Sequence, residues 1–326
     1  MAKTRRSGPT LLKAMLASAL LAIALAPPPT PAQSPAQGQN DYFHTGAGAR
    51  YLVRAKAPLD VQPLRGRITI LSGSGGNITV LAGRQGKFLI DAGISASRPK
   101  IETALQKLDR TPIRYVVNTH WHWDHTDGNA WMHRAGATII AHRNTFRHLT
   151  QTTHVDDWNW TFNAVPADAR PTILIDRDRI FSFAGETITL QNFGPGHTDG
   201  DLLAYFHKAD VLAMGDTFWN GHYPFIDNED GGGINAAIDW ANKAIGMSTD
   251  HTLLIPGHGA VGKRADLIAF RDMLVAVRDR VAAMKREGKS LQQIIAAKPT
   301  APFDAKWGGF VIGPDLFTRL VYDGLR

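Results

Sequence analysis

Thr119-His120-Trp121-His122-Trp123-Asp124-His125 puts three imidazoles and a carboxylate within six residues, at the end of the apolar run that begins at Ile113. In extended backbone alternate side chains project to one face, so His120 and His122 point the same way. A turn after them aims Asp124 and His125 at a neighbouring point. That geometry suits two metal ions. A histidine-rich surface loop would have no reason to sit at the end of an apolar strand.

Three further strand ends carry side chains of the same chemistry. His197 lies in Gly194-Pro195-Gly196-His197-Thr198-Asp199-Gly200-Asp201, His258 lies in Ile255-Pro256-Gly257-His258-Gly259, and Asp216 closes the apolar segment 211–216. Singly, each reads as a turn or capping residue; together, four strand ends offering metal-type ligands point to one site along one sheet edge. The chain has no cysteine. This excludes disulfides, thiolate zinc sites, iron–sulfur clusters and cysteine nucleophiles, and leaves His, Asp and Glu to hold any metal. His133, His142, His148 and His154 fall in helix or loop patterns and read as packed or solvent-facing rather than as ligands.

The 326 residues are 44% hydrophobic and 20% charged, the composition of a globular protein rather than of a disordered, collagenous or coiled-coil chain. Short apolar strands closed by glycines are expected at 68–71, 77–81, 87–93 and 113–119. A helix before the last of them carries Ile101, Leu105 and Leu108 on one face. The second half repeats this logic, with strands near 172–175, 179–192, 201–206, 210–215 and 252–255 and a helix over 234–247. A longer helix follows in which Leu267, Phe270, Leu274, Val277, Val281 and Met284 recur three or four apart. Strands flanked by amphipathic helices predict a layered α/β body. The glycine runs at 73–76 and 231–233 read as turns, since neither is followed by Lys-Ser or Lys-Thr as a phosphate-binding loop would be.

Residues 1–32 combine a basic start (Lys3, Arg5, Arg6, Lys13), an apolar run over 14–26 and small-residue exits at 24–26 and 30–32, the layout of a cleaved secretory signal peptide. Arg5-Arg6 is a weaker match to a twin-arginine signal, because Gly8 and Pro9 follow it. The expectation is export to the periplasm or beyond, with a flexible arm over 33–60, a folded body over 61–326 and a helical extension at 263–326. No stable membrane span is expected after cleavage. The formal charge of +7 drops to +3 without the first 32 residues, 32 basic against 29 acidic. So small a charge argues for a small-molecule substrate and against a nucleic-acid partner.

The motif His120-x-His122-x-Asp124-His125, followed by Gly-His at 197, Gly-Asp at 216 and Gly-His-Gly at 258, resembles the metallo-β-lactamase superfamily in order, spacing and context over roughly residues 65–262. The resemblance implies a four-layer αββα sandwich and a centre of two zinc ions. His120, His122 and His197 would hold one metal, Asp124, His125 and His258 the other, and Asp216 would bridge them. Asp91, at the end of its strand, resembles the family's early aspartate and would orient a ligand imidazole. The chain departs from the β-lactamases that use a thiolate ligand, and Asn220 stands where those enzymes carry a substrate-anchoring lysine. The ligand set is closer to that of glyoxalase II and acyl-homoserine lactonases, with the cysteine-free β-lactamases still open.

The implied chemistry is hydrolysis of a cyclic amide, ester or thioester by a metal-bound hydroxide, with Asp124 steering that hydroxide or passing a proton to the leaving group. Trp219, His222 and Tyr223, just after Asp216, are expected to line the substrate pocket, whereas Trp121, Trp123 and Phe218 read equally well as core. Alternatives are a lactonase, a glyoxalase II-like thioesterase, an iron-dependent dioxygenase on the same scaffold, and a metal-binding protein without turnover. The last is disfavoured, because a structural zinc needs only four ligands.

Overall fold

The computed structural model describes residues 57–325. The expected signal peptide and the arm as far as residue 56 lie outside the described residues. The first sheet has seven strands: β1 (Asp60–Pro63), β2 (Ile68–Ser72), β3 (Ile78–Gly83), β4 (Gly86–Ile90), β5 (Ile113–Val117), β6 (Thr138–His142) and, beyond a separate hairpin of β7 (Thr153–Val155) and β8 (Trp160–Phe162), β9 (Ile173–Ile175). Strands β1 to β4 run antiparallel, and β4, β5, β6 and β9 are parallel. The second sheet runs in chain order through β10 (Arg179–Phe183), β11 (Glu186–Gln191), β12 (Leu203–Phe206), β13 (Val211–Ala213), β14 (Leu253–Ile255) and β15 (Gly262–Lys263). The segment expected as one strand over 179–192 is thus two. They turn back at Ala184 and Gly185, both at positive φ.

Strand alternation sorts the core into three layers. Ile68, Ile70, Phe88, Ile90 and Val117 meet Ile188, Leu190, Ala204, Phe206 and Val211 between the two sheets. The neighbours in sequence, Leu71, Leu89, Val116 and Ile139, point outward. They pack on Ile101 and Leu105 of α1 (Arg98–Leu108) and, past the short helix α2 (Trp123–Thr126), on Trp131 and Met132 of α3 (Asn129–Arg134). A fourth helix, α4 (Arg143–Leu149), follows β6. On the far side Leu203, Leu212 and Leu254 pack on α5 (Ile234–Met247), α6 (Arg264–Arg286) and, beyond α7 (Leu291–Ala296) and α8 (Asp304–Trp307), on Phe317, Leu320 and Val321 of α9 (Pro314–Gly324). The result is a four-layer αββα sandwich.

The extension at 263–326 is part of this core. The Tyr223 ring stacks on Phe317 at 4.5 Å and 13°, and its hydroxyl lies 2.8 Å from Asp304 Oδ1. Tyr223 therefore does not line a pocket as expected from its position after Asp216. Its ring is wholly buried, and burial together with the Asp304 carboxylate holds its phenol well above the usual range. No helix among the described residues is long and apolar enough to cross a membrane.

Candidate metal centre

Both sheets send their loops to the same edge. From the first sheet come Asp91, just past β4, and the turn at 118–126 after β5; from the second come His197 after β11, Asp216 after β13 and His258 after β14. The turn is held by backbone: Ala92 N–H donates to His125 O at 2.8 Å and Gly76 N–H to Asp124 O at 3.1 Å. His197 is set by Asp201, whose carboxylate accepts the His197 N–H at 2.6 Å, the Thr198 N–H at 3.0 Å and the Thr198 hydroxyl at 2.6 Å. Burial pushes that carboxyl up to about 7.

Asn77 ties the sheets together here. Its side-chain amide donates to Pro256 O and Gly259 O, each at 2.9 Å, and its N–H donates to Gly257 O at 2.8 Å. These three bonds fix the His258 turn against β3. At Gly257 a Cβ would lie 1.8 Å from Asp216 Oδ1, so only glycine lets the His258 and Asp216 loops approach.

Seven buried side chains form two groups whose ligand atoms lie within 4.8 Å of one another: His120, His122, His197 and Asp216, and Asp124, His125 and His258. These are the seven residues expected from the sequence. His122 Nδ1 sits 3.0 Å from His120 Nε2 and 2.9 Å from His197 Nε2. Asp216 reaches both groups, with Oδ2 3.8 Å from His120 Nε2, 3.6 Å from His197 Nε2 and 3.3 Å from His258 Nε2, and Oδ1 3.1 Å from His125 Nε2. Asp124 Oδ2 lies 3.3 Å from His258 Nε2 and 3.7 Å from His125 Nε2.

The outward ring nitrogens are already committed. His122 Nε2 faces Asp227 Oδ2 at 2.9 Å, His197 Nδ1 donates to Phe225 O at 2.9 Å, and His125 Nδ1 faces Asp91 Oδ2 at 2.8 Å. His120 Nδ1 lies 3.0 Å from the Thr119 hydroxyl, which itself donates to Asp91 Oδ2 at 2.9 Å and so accepts from the imidazole. With the proton placed outward on each ring, the inward nitrogens of His120, His122 and His197 present lone pairs to a common space. Such lone pairs repel one another unless a cation lies among them. His125 Nε2 and Asp216 Oδ1, both buried, face each other at 3.1 Å and reach no further hydrogen-bond partner. This donor set of imidazoles and carboxylates fits a pair of divalent metals with N/O preference.

Electrostatics without a cation are correspondingly divided. Burial, with the charge of His125 beside it, holds His120 well below the ordinary histidine value, and burial brings His197 down to about 4. Burial also opposes the charge on His258, yet Asp216 and Asp124 outweigh it and raise that ring to about 9. Asp216, Asp124 and Asp91 likewise overcome burial at His125, holding it well above its ordinary value.

Asp227 and Asn77 are the functional residues the sequence did not single out. Asp227 lies 105 positions from His122 in a segment without a motif, and Asn77 is expected only as the first residue of the strand over 77–81. Of the expected pocket residues, His222 lines a cleft of about 350 Å³ beside His258, together with Asp60, Gln62, Ser72, Asn77 and Phe310. Trp219 is buried with its ring 4.3 Å from His258, supporting that ligand. Trp121 and Phe218 are buried in the core.

The sequence profile of the metallo-beta-lactamase superfamily matches residues 71–258. A hydroxyacylglutathione hydrolase of Polaromonas sp. is 30% identical over 178 residues, 51% of this chain, and the chain spans 59% of that relative's length. Among solved structures, the stereoselective inverting sec-alkylsulfatase Pisa1 from Pseudomonas sp. superposes with a TM-score of 0.63 at 20% identity, over 85% of this chain and 52% of the sulfatase. A metallo-β-lactamase from Pontibacter korlensis gives 0.54 at 17% identity, over 66% of this chain and 98% of that enzyme.

Proposed function

The chain belongs to the metallo-β-lactamase superfamily, and on that premise we propose that it is an exported dinuclear zinc hydrolase acting on a cyclic amide, ester or thioester. What supports this most directly is the convergence of ring nitrogens of His120, His122, His197 and His125 on one space that Asp216 borders from both groups. His120, His122 and His197 would hold one zinc, Asp124, His125 and His258 the other, and Asp216 would face both. Bound there, the pair would bring a water towards a pKa of ~7 and polarise a substrate carbonyl, supplying nucleophile and electrophile together.

The chain's own residues do the rest. Asp91 accepts from His125 and, through Thr119, from His120, so one buried carboxylate orients a ligand in each group. Asp124 has an oxygen 3.3 Å from His258, from where it could hold the attacking hydroxide or move its proton to the leaving group. His222, in the cleft wall, offers a polar contact to the part of the substrate that does not react.

A glyoxalase II-like thioesterase is the second reading, favoured by the resemblance to the Polaromonas hydrolase. The test is metal analysis of protein isolated under native conditions, followed by hydrolysis of nitrocefin, a penicillin, a carbapenem, an acyl lactone and a glutathione thioester with and without chelator. Chelator-sensitive turnover of one class identifies it. Iron in place of zinc would redirect the reading to an oxygen-using enzyme. Export is tested by fractionating cells that express the full chain.

A further inference from the structure

We propose that His148 is a positioning residue for the metal ligand His122, acting at a distance through Asp230 and Asp227. The inference rests on the metal centre proposed above. His122 Nε2 faces Asp227 Oδ2 at 2.9 Å, and the other oxygen of Asp227 accepts the Asp230 N–H at 3.0 Å. The Asp230 carboxylate lies 3.3 Å from His148 Nδ1, and the opposite nitrogen, Nε2, is 2.8 Å from Asp199 Oδ1. Trp121, between the two ligands His120 and His122, stacks on the His148 ring at 5.6 Å and 29°.

His148 therefore sits between two half-buried carboxylates that would otherwise repel, and it does so against Trp121 of the ligand turn. The segment it secures is tightly fitted. Asp199 N–H donates to Asp230 O and Asp227 N–H to His197 O, each at 3.0 Å. Gly231 sits at φ +84°, where a Cβ would lie 2.7 Å from that of Asp199, and a Cβ on Gly232 would lie 2.1 Å from His197 O. A turn with so little slack transmits the loss of one anchor to Asp227 rather than absorbing it. Arg147 completes the outer end of the chain by donating to Asp199 Oδ2 at 2.6 Å.

A double-mutant cycle on the full chain tests this, run in a His258→Ala background so that the His120, His122 and His197 group is the one left to bind. Zinc affinity by chelator competition and the ligand-field bands of the cobalt(II) form are the readouts. His148→Ala should weaken zinc about tenfold and shift the cobalt bands, Asp227→Asn should weaken it by about ten- to a hundredfold, and the pair should bind no more weakly than Asp227→Asn alone. If His148→Ala does not fold, His148→Gln carries the same cycle. Affinity unchanged in the His148 variant, or losses that multiply in the pair, would overturn the proposal. A parent protein that binds neither zinc nor cobalt would instead remove the metal centre on which it stands.

Discussion

Oδ2 of Asp91 lies 2.8 Å from Nδ1 of His125, and Asp91 makes that contact from a left-handed backbone, φ +67°. Non-glycine residues avoid this region except where the surroundings impose it, aspartate and asparagine least strongly. The same carboxylate accepts the Thr119 N–H at 2.7 Å, and so pins the start of the ligand turn as well. Asp91→Asn keeps the shape and the backbone tolerance but removes the charge. It should leave the protein folded and weaken zinc by about ten- to a hundredfold. Chelator competition measures this, and wild-type affinity would refute the orienting role.

Close approach at Gly76 gives a second prediction. A Cβ there would lie 2.1 Å from His125 Cε1 and 2.6 Å from its Nε2. Gly76→Ala must displace the ring, costing about 1–3 kcal/mol of stability, and should lose the metal that His125 is proposed to hold. Gly246, on the exposed face of α5, has open space around its Cα, so Gly246→Ala should stabilise the protein by about 0.4–1 kcal/mol with metal content unchanged. Equal effects from the two substitutions would contradict the packing described.

The metal-stripped protein should lose stability as pH rises above the ordinary histidine pKa of about 6.5, whereas on the acid side two groups oppose one another. His197, lowered to about 4, favours its neutral ring on folding. Its contribution is complete above the unfolded value and is lost as pH falls through 4. His258, raised to about 9, favours the charged ring; its contribution is complete below the unfolded value and is lost as pH rises through 9. Asp201, raised to about 7, folds best when protonated, so its contribution is lost between the unfolded value of about 3.9 and 7 and is already gone on the alkaline limb. Thermal melts in chelator should therefore fall between pH 6.5 and 9. A flat alkaline limb would show that these carboxylates do not hold the charge on His258.

Asp124→Asn separates binding from turnover. The amide keeps one oxygen at the position 3.3 Å from His258, so much of the metal should stay, but it can neither accept nor pass on a proton. Turnover of the substrate identified by the panel should fall by about a hundred- to ten-thousandfold. Unchanged turnover would remove Asp124 from the chemistry.

What was legible in the sequence was what is local. Four strands ended in Gly-His, Gly-Asp or a run of histidines, whereas the alternation within β2, β4 and β5 that sends Phe88 between the sheets and Leu89 outward is hidden in near-continuous apolar runs. Asp227 and Asn77 escaped because their partners are remote: His122 is 105 residues from Asp227, and Gly259 is 182 from Asn77. Neither carries a periodicity or motif that anticipates such a contact. Tyr223 was misplaced for the related reason that its neighbours Phe317 and Asp304 belong to the far end of the chain. The hairpin of β7 and β8 has only three residues per strand, too few for alternation to stand out from a loop.

The C-terminal extension also reaches the site, and this yields the last prediction. Between α8 and α9 the chain sets Phe310 against His222 at 4.6 Å and 30°, with its ring 5.9 Å from both His258 and Trp219. Phe310 is thus a wall of the cleft that contains His222 and His258, contributed by a segment that begins beyond the last metal ligand. Its ring centroid stands 5.9 Å from that of His258, and Phe310→Ala should leave metal content and kcat unchanged. An aromatic contact of about 0.5–1.5 kcal/mol is lost, which corresponds to a KM raised by about two- to tenfold. Steady-state kinetics on the substrate found by the panel decide the matter. A fall in kcat with constant KM would mean that Phe310 supports His258 rather than the substrate.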